Sequence, residues 1–386
     1  MFHAKLLKNI DWIFLGLLVT IMLISLTVLK SASANVFQDQ YYFVKKQLLW
    51  IFVGFCVMVF VAVFDYSFFK RIGNYLYIFN LILLVSVFIM GYEAKGAQRW
   101  ISLGFFDLQP SEFAKIAIIV SFACLLAKRQ GYLERFQDII PCLLFIGIPM
   151  GLILKQPDLG TSLVFLAIMF GMLWVGGANP KIILIMVAGI FLVAALIFGV
   201  LFFATDGFQK PPEELPIPLP LKSYQLMRLI IFVNPNMDPL GAGYHVIQSQ
   251  VAIGSGGFWG KGYRQGSQVQ GNFLPEHHTD FIFSTVGEEL GFVGSCLILL
   301  IYFFLLWRMI LIAKDARDTF GTLIVVGVAS MLAFQILVNV GMTIGIMPVT
   351  GIPLPFLTYG GSGMLTNMIS MGLVLSVNLR KQQLLF

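Results

Sequence analysis

The chain has 386 residues, 58% of them hydrophobic and only 11% charged, with a formal net charge of +6. A soluble domain carries about 25% charged residues, so the composition excludes a water-soluble globular protein. Four cysteines (Cys56, Cys124, Cys142 and Cys296) lie in or beside apolar runs and form no Cys-x-x-Cys pair, so neither a disulfide framework nor a zinc site follows.

A membrane-crossing helix needs about 20 mostly apolar residues. Ten segments qualify, at 10–29, 43–64, 74–92, 110–127, 139–154, 160–177, 181–205, 280–307, 319–343 and 361–379. Backbone groups in lipid must be satisfied within each span, so the chain reads as an all-α polytopic membrane protein with ten transmembrane helices. The first run follows Lys5 and Lys8 and precedes Ser31-Ala32-Ser33-Ala34, as a signal peptide would. It exceeds an h-region of about 7–15 residues and is read as a retained helix. Lys and Arg mark cytoplasmic loops. Placing both termini in the cytoplasm puts Lys70, Arg71, Lys128, Arg129, Arg308 and Lys314 inside, a better balance than the reverse.

This topology gives one membrane domain, 1–386, with a large extracytoplasmic loop at 206–279, between the seventh and eighth helices, and a second at 344–360. The first loop opens with a proline-rich insert, 211–220, unsuited to a helix interior. Residues Ser223 to Phe232 then suit a short amphipathic helix lying on the membrane, and Gly241 to Gly266 is glycine-punctuated. The second loop has three prolines, Pro348, Pro353 and Pro355, and no charge; it suits a segment that dips into the outer leaflet where protein satisfies its backbone.

Several ionisable groups stand where helices begin on that outer side. Glu112 and Lys115 are three apart, hence on one helical face. Asp158 starts the sixth helix, where an N-cap role competes with a functional one. Asp280 opens the eighth, with Glu288 and Glu289 further along; at 1.5 Å per residue Glu288 lies about 12 Å below Asp280. Arg99 is in the loop before the fourth helix. Charges at such depth cost several kcal/mol unless paired or hydrated. Arg99, Lys115 and three helix N-termini together suit an anion such as a phosphate. His277 and His278 have no metal-ligand spacing and read as loop histidines. No cofactor is certain; a divalent cation, Mg or Mn, held by carboxylates and a substrate diphosphate, stays open.

At these residues the chain resembles the SEDS proteins (shape, elongation, division and sporulation), which include RodA and FtsW. The resemblance runs through Gly96-Ala97-Gln98-Arg99-Trp100-Ile101, Gln109-Pro110-Ser111-Glu112, and Lys155-Gln156-Pro157-Asp158-Leu159-Gly160-Thr161. It continues through Asp238-Pro239-Leu240-Gly241-Ala242-Gly243-Tyr244, His278-Thr279-Asp280-Phe281-Ile282-Phe283, and the block from Pro348 to Gly361. The shared order and spacing cover essentially the whole chain. Gln156 to Thr161 and Gln265-Gly266-Ser267-Gln268 lean toward the RodA branch.

The resemblance implies a peptidoglycan glycosyltransferase of the bacterial cytoplasmic (inner) membrane. It would polymerise lipid II at the outer face during cell elongation and release undecaprenyl pyrophosphate. It would work with a class B penicillin-binding protein, a transpeptidase. The family's essential acidic residue maps onto Asp280 as the catalytic group. Outer-cavity residues map onto Arg99, Glu112, Lys115 and Asp158, and Glu288 is counted with these as substrate-binding. Nothing points to nucleic acid. Two other classes compete: a flippase or transporter for the lipid-linked precursor, and a non-enzymatic scaffold for the transpeptidase.

Overall fold

The computed structural model describes residues 9–34, 41–94, 97–102, 104, 107–210, 223–241, 243–271, 273–274 and 278–381. The proline-rich insert 211–220 and His277 lie outside the described residues. Each of the ten expected spans has a helix. In chain order these are α1 Trp12–Ala32, α2 Tyr42–Val63, α3 Ser67–Met90, α4 Pro110–Lys128, α5 Phe136–Lys155, α6 Leu159–Val175 and α7 Pro180–Ala204. Then come α8 Ser223–Val233, α9 Tyr244–Gly256 and the single turn α10 Ser267–Gln270, followed by α11 Ile282–Lys314, α12 Thr319–Thr343 and α13 Gly361–Leu379. Nine described helices are long and apolar enough to cross a membrane, and α6, at 17 residues, is the shorter tenth. Helix α3 starts seven residues before the expected position. Lys70 and Arg71 end the apolar run there but not the helix, since long basic side chains reach out of the apolar layer.

Buried share separates the inner helices from the outer ones. Of their apolar windows, 78% is buried in α4 and α13 and only 6% in α7. Helix α2 packs along α13, α3 along α4, and α12 along α6 and α11, so α4, α12 and α13 form the core. Helix α5 carries Pro149, which removes the N–H that would bond the Phe145 carbonyl. The Tyr77 hydroxyl of α3 donates to that carbonyl at 2.9 Å, and the two rings stack at 3.9 Å. The lost helical bond thereby becomes an interhelical one.

Three features at the end of the bundle opposite the chain termini position the site. The first was not expected: a small antiparallel sheet, β1 Tyr92–Ala94, β2 Ala97–Ser102 and β3 Asp107–Leu108, in the order β1-β2-β3. It turns the connection between α3 and α4 into a fixed platform and puts Arg99 on its central strand.

The second is the dipping loop, 344–360. Ser25, seven residues before the end of α1, donates to the Leu357 carbonyl at 3.0 Å. Gln47 of α2 donates to Thr358 O at 3.4 Å, and Tyr302 of α11 to Pro355 O at 2.5 Å. At 1.5 Å per residue, Leu357 lies on the order of 10 Å inside the end of α1. Ile352, Leu354, Phe356 and Leu357 are buried there. The expected dip is therefore present, with donors from three helices answering the backbone carbonyls that proline-rich sequence cannot pair internally.

The third is a break in α11. Gly291 has φ 65° and ψ −163°, outside the helical region, and splits α11 into two segments. The segment Ile282–Leu290 is not the top of a straight span. Asn339 of α12 donates to the Asp280 carbonyl at 2.9 Å. Ser249 joins the Ser284 hydroxyl to the carbonyl of Thr343, the last residue of α12, at 2.7 Å each. Between Asn339 and Thr343 the helix rises about 6 Å, so Asp280 lies deeper than Ser284. The chain thus climbs outward from Asp280, reverses at Gly291 and only then descends. This corrects the expectation that Glu288 lies 12 Å below Asp280: the next residue, Glu289, accepts from Ser31 at the C-terminal end of α1, at 2.5 Å.

Candidate functional site

The turn 278–281 is held on every side. Thr358 donates to Thr279 O at 3.3 Å, and Asn339 bridges Asp280 O and Ile352 O, the latter at 2.8 Å. The His278 ring packs 4.7 Å from Phe43, which meets Tyr359 at 4.8 Å; the His245 ring lies parallel to Phe281 at 6.0 Å. The half-buried Asp280 carboxylate points at the dipping loop. A Cβ placed on Gly351, whose φ is +74°, would sit 3.4 Å from Asp280 Oδ2. Only glycine adopts that backbone freely and leaves the carboxylate its space.

The far side of the same loop meets the start of α6. A Cβ at Gly160 would lie 2.9 Å from both Thr350 O and the Ile352 side chain. Gly160 thus lets α6 close onto residues 350–352, which separate Asp158 from Asp280. Asp158 is the N-cap of α6, as its sequence position suggested: Oδ1 accepts the Thr161 N–H at 3.1 Å, and Oδ2 accepts the Thr161 and Ser111 hydroxyls at 2.9 and 3.2 Å. Gln109 adds a bond of 3.4 Å. Arg99 lies 3.9 Å from Asp158 and donates to the carbonyls of Gln156, at 3.3 Å, and of Pro157. It therefore straps the sheet to the turn that opens α6.

Glu112 and Lys115 form the ion pair that their spacing implied, at 2.7 Å, with side chains 7% and 1% exposed. The pair sits inside the bundle, and a side chain on Gly363 of α13 would begin 3.7 Å from the Glu112 carboxylate. Arg99 and Asp158 thus form one pair, tied through Ser111 to the start of the helix that carries the Glu112–Lys115 pair, with Asp280 across the loop. Glu288 does not join them. Its fully buried carboxylate accepts from Lys261 at 2.7 Å, Ser267 at 3.3 Å, and the Gln268 and Val269 N–H groups at 2.9 and 3.0 Å. Four donors fill it, and what it holds is the loop carrying α10. Among the described residues no three His, Cys, Asp or Glu side chains converge on a position that would hold a metal ion.

Sequence reasoning missed Arg228. It lies on α8, which turns its Leu226 and Ile230 face onto Leu201 and Phe208. Tyr224 and Arg228, one turn apart, occupy the other face, with the guanidinium 5.9 Å from the ring centre. Burial holds the guanidinium below its ordinary range; the neighbouring Arg99 charge adds to this, and Tyr224, Asp280 and Asp158 oppose it. The charges of Arg99, Asp158 and Asp280 thus all act on Arg228. Nothing in the sequence marked it, because a lone arginine on an amphipathic helix reads as a surface charge.

The FtsW/RodA/SpoVE family profile, described as a cell cycle protein, matches residues 8–383. Peptidoglycan glycosyltransferase MrdB of Escherichia coli K12 is 38% identical, over 97% of this chain and 95% of its own. Peptidoglycan glycosyltransferase RodA of Treponema pallidum is 36% identical, over 96% and 98%. The Rod shape determining protein RodA of Thermus thermophilus has the same fold, with a TM-score of 0.69 and 28% identity, covering 97% of this chain and 98% of that one. A chain solved in a study of how a peptidoglycan synthase complex coordinates polymerization and crosslinking scores 0.78 at 31% identity, over 95% and 97%. The chain belongs to the FtsW/RodA/SpoVE family, the SEDS proteins, several of whose curated members are peptidoglycan glycosyltransferases.

Proposed function

We propose that this chain is a peptidoglycan glycosyltransferase that polymerises lipid II at the outer face of the bacterial cytoplasmic membrane, as a RodA-type enzyme of cell elongation with both termini in the cytoplasm. The observation that carries the reading is the placement of Asp280. Its carboxylate lies beside Gly351 of the dipping loop, and its charge acts on Arg228 together with those of Arg99 and Asp158. A lipid-linked sugar needs a carboxylate at the level of the headgroups, cations for its diphosphate and a route from the bilayer. Helices α2 and α3 lie on α13 and α4 respectively rather than on each other, which suits lateral entry.

In the proposed step the 4-hydroxyl of the acceptor sugar gives its proton to Asp280 while its oxygen attacks the anomeric carbon of the donor. The bond from that carbon to the diphosphate oxygen breaks, and undecaprenyl diphosphate leaves with the bonding electrons. One in-line displacement converts an α-linked donor to a β-linked product. Glu112, Lys115 and Asp158 shape the inner wall, and Glu288 fixes the loop that leads to Asp280. The resemblance to a chain from a peptidoglycan synthase complex supports pairing with a crosslinking enzyme, a class B penicillin-binding protein.

The test is the purified protein in proteoliposomes with labelled lipid II, assayed for glycan strands and for movement of the lipid between leaflets. Polymerisation that persists when the partner's transpeptidase site is blocked supports the reading. Scrambling without strands replaces it with a flippase, and neither activity leaves a scaffold.

A further inference from the structure

We propose that Asn339 is a positioning residue for the transfer step, holding the Asp280 turn and the dipping loop at a fixed separation from a single nitrogen atom. The role rests on reading Asp280 as the base of a polymerase of lipid-linked sugars, and it is exerted through two backbone carbonyls rather than at a reacting atom.

Asn339 lies one turn inside the end of α12 and is fully buried. Its Nδ2 carries two hydrogens, and both are used. One goes to the Asp280 carbonyl at 2.9 Å and the other to the Ile352 carbonyl at 2.8 Å. The two hydrogens of a planar carboxamide diverge, so the two carbonyl oxygens are kept about 5 Å apart. Neither backbone can slide past the other without breaking a bond. These carbonyls frame the reacting group. One is Asp280's own; the other follows Gly351, where a Cβ would lie 3.4 Å from Asp280 Oδ2. Fastening both backbones to Nδ2 therefore fixes the carboxylate against the loop it faces.

A second bridge crosses the same gap and shows by contrast what Asn339 adds. The Thr358 hydroxyl donates to Thr279 O at 3.3 Å and accepts from Leu354 N at 2.9 Å. Thr358 belongs to the dipping loop, so it fastens the loop to the turn without tying either to the bundle. Asn339 stands on α12, which packs along α6 and α11, and ties both to the core. The position is unfavourable for an asparagine. Its Oδ1 is buried and accepts no hydrogen bond from the described residues, which leaves a desolvated acceptor. Leucine would fill a similar volume without that penalty. What leucine could not do is donate to two carbonyls, and a catalytic group must be held to about 0.5 Å of its working geometry.

The experiment measures release of undecaprenyl diphosphate from lipid II by the full chain in proteoliposomes, with rates taken per folded protein. Asn339→Leu is expected to lower kcat about 10- to 100-fold, the scale of a group displaced by an ångström, with KM for lipid II unchanged. Asn339→Gln keeps the two hydrogens on a longer stem; it should also lower kcat, and it stands in where the leucine variant does not fold. In an Asp280→Asn background, adding Asn339→Leu should change the residual rate by less than about 3-fold, because residues that act as a unit are not additive. A wild-type kcat in folded Asn339→Leu overturns the proposal. So does a loss by the same factor in both backgrounds, which would mark a general packing defect. A raised KM at unchanged kcat also overturns it, by making Asn339 a substrate-binding residue. Asp280→Asn protein that releases the diphosphate at the wild-type rate is a separate failure: it removes the base itself, whatever Asn339→Leu does.

Discussion

The two ends of the helix bundle hold charge at different depths. At the end bearing the chain termini, ions close off helices. Asp11 caps α1 by accepting the Phe14 N–H at 3.0 Å and holds Arg308 with its other oxygen at 2.5 and 3.0 Å. Asp318 caps α12 and takes the Tyr66 hydroxyl, both at 2.9 Å. Arg380 reaches Ala62 O and Ser376 O at 3.1 Å each and lies 3.5 Å from Asp65. At the opposite end Asp280 faces Gly351, Arg228 lies over the Tyr224 ring, and a lysine–glutamate pair is buried among apolar helices. Ionisable groups in a membrane protein are expensive wherever they sit. Both ends answer that cost with pairs, but the second buries more of its ionisable groups, Glu112, Lys115, Asp158, Glu288 and Glu289 among them, which fits it for the working end.

That contrast can be broken at several points. Lys115→Met leaves Glu112 charged and alone inside the bundle, which should cost about 3–5 kcal/mol in detergent-solubilised unfolding. The double variant Glu112→Gln with Lys115→Met should recover most of the loss; a single variant as stable as wild type would show that water reaches the pair. Glu288→Gln removes the charge that Lys261 and two backbone N–H groups converge upon, worth about 1.5–3 kcal/mol locally. Amide exchange over 261–271 should speed up while exchange in α12 stays slow, and uniform acceleration would mean the loop is not a separate unit.

Gly351→Ala forces a left-handed backbone on a residue with a side chain, about 1–2 kcal/mol. It also sets a methyl group in contact with the Asp280 carboxylate, displacing solvent or substrate from that side, so transfer activity should fall by more than the stability loss explains. The smallest effect belongs to the other end. Asp65 is held below the usual carboxylate range. Burial pushes it up, but the Ser67 N–H and hydroxyl, with Arg380 and Arg317, outweigh that. A lowered folded-state value stabilises above the unfolded value of about 3.9 and fades as pH falls through the folded one. Its side chain is 48% exposed, so Asp65→Asn should cost only about 0.5 kcal/mol at neutral pH. The two melting points should draw together as acidification passes below the unfolded value of about 3.9, and a constant gap would assign the effect to packing.

Much of this was legible in the sequence where one local rule dominates. Runs of apolar residues located the ten spans, and α12 and α13 begin and end where the hydropathy does. The spacing of Glu112 and Lys115 announced their pair, the position of Asp158 announced a cap, and three prolines without charge announced the dipping loop. What was hidden depends on contacts between distant segments. The reversal at Gly291 lies inside Leu290-Gly291-Phe292-Val293-Gly294, which reads as the start of an ordinary membrane helix. Its φ of 65° is stabilised by docking of residues 257–262, through bonds such as Phe292 N to Gly257 O at 3.0 Å. The orientation of Arg228 follows from the anchoring of Leu226 and Ile230, and the sheet that fixes Arg99 has strands too short to leave a period.

The central claim is that the Asp280 carboxylate removes the acceptor proton, and its most direct test is the transfer rate of Asp280→Asn in the membrane-reconstituted protein. Asparagine keeps the shape of the side chain and its fit beside Gly351, so folding and diphosphate binding should match wild type. Release of undecaprenyl diphosphate from lipid II should fall by about 10²–10⁴-fold, the usual worth of a positioned base. A well-folded Asp280→Asn protein that releases it at the wild-type rate would contradict the account.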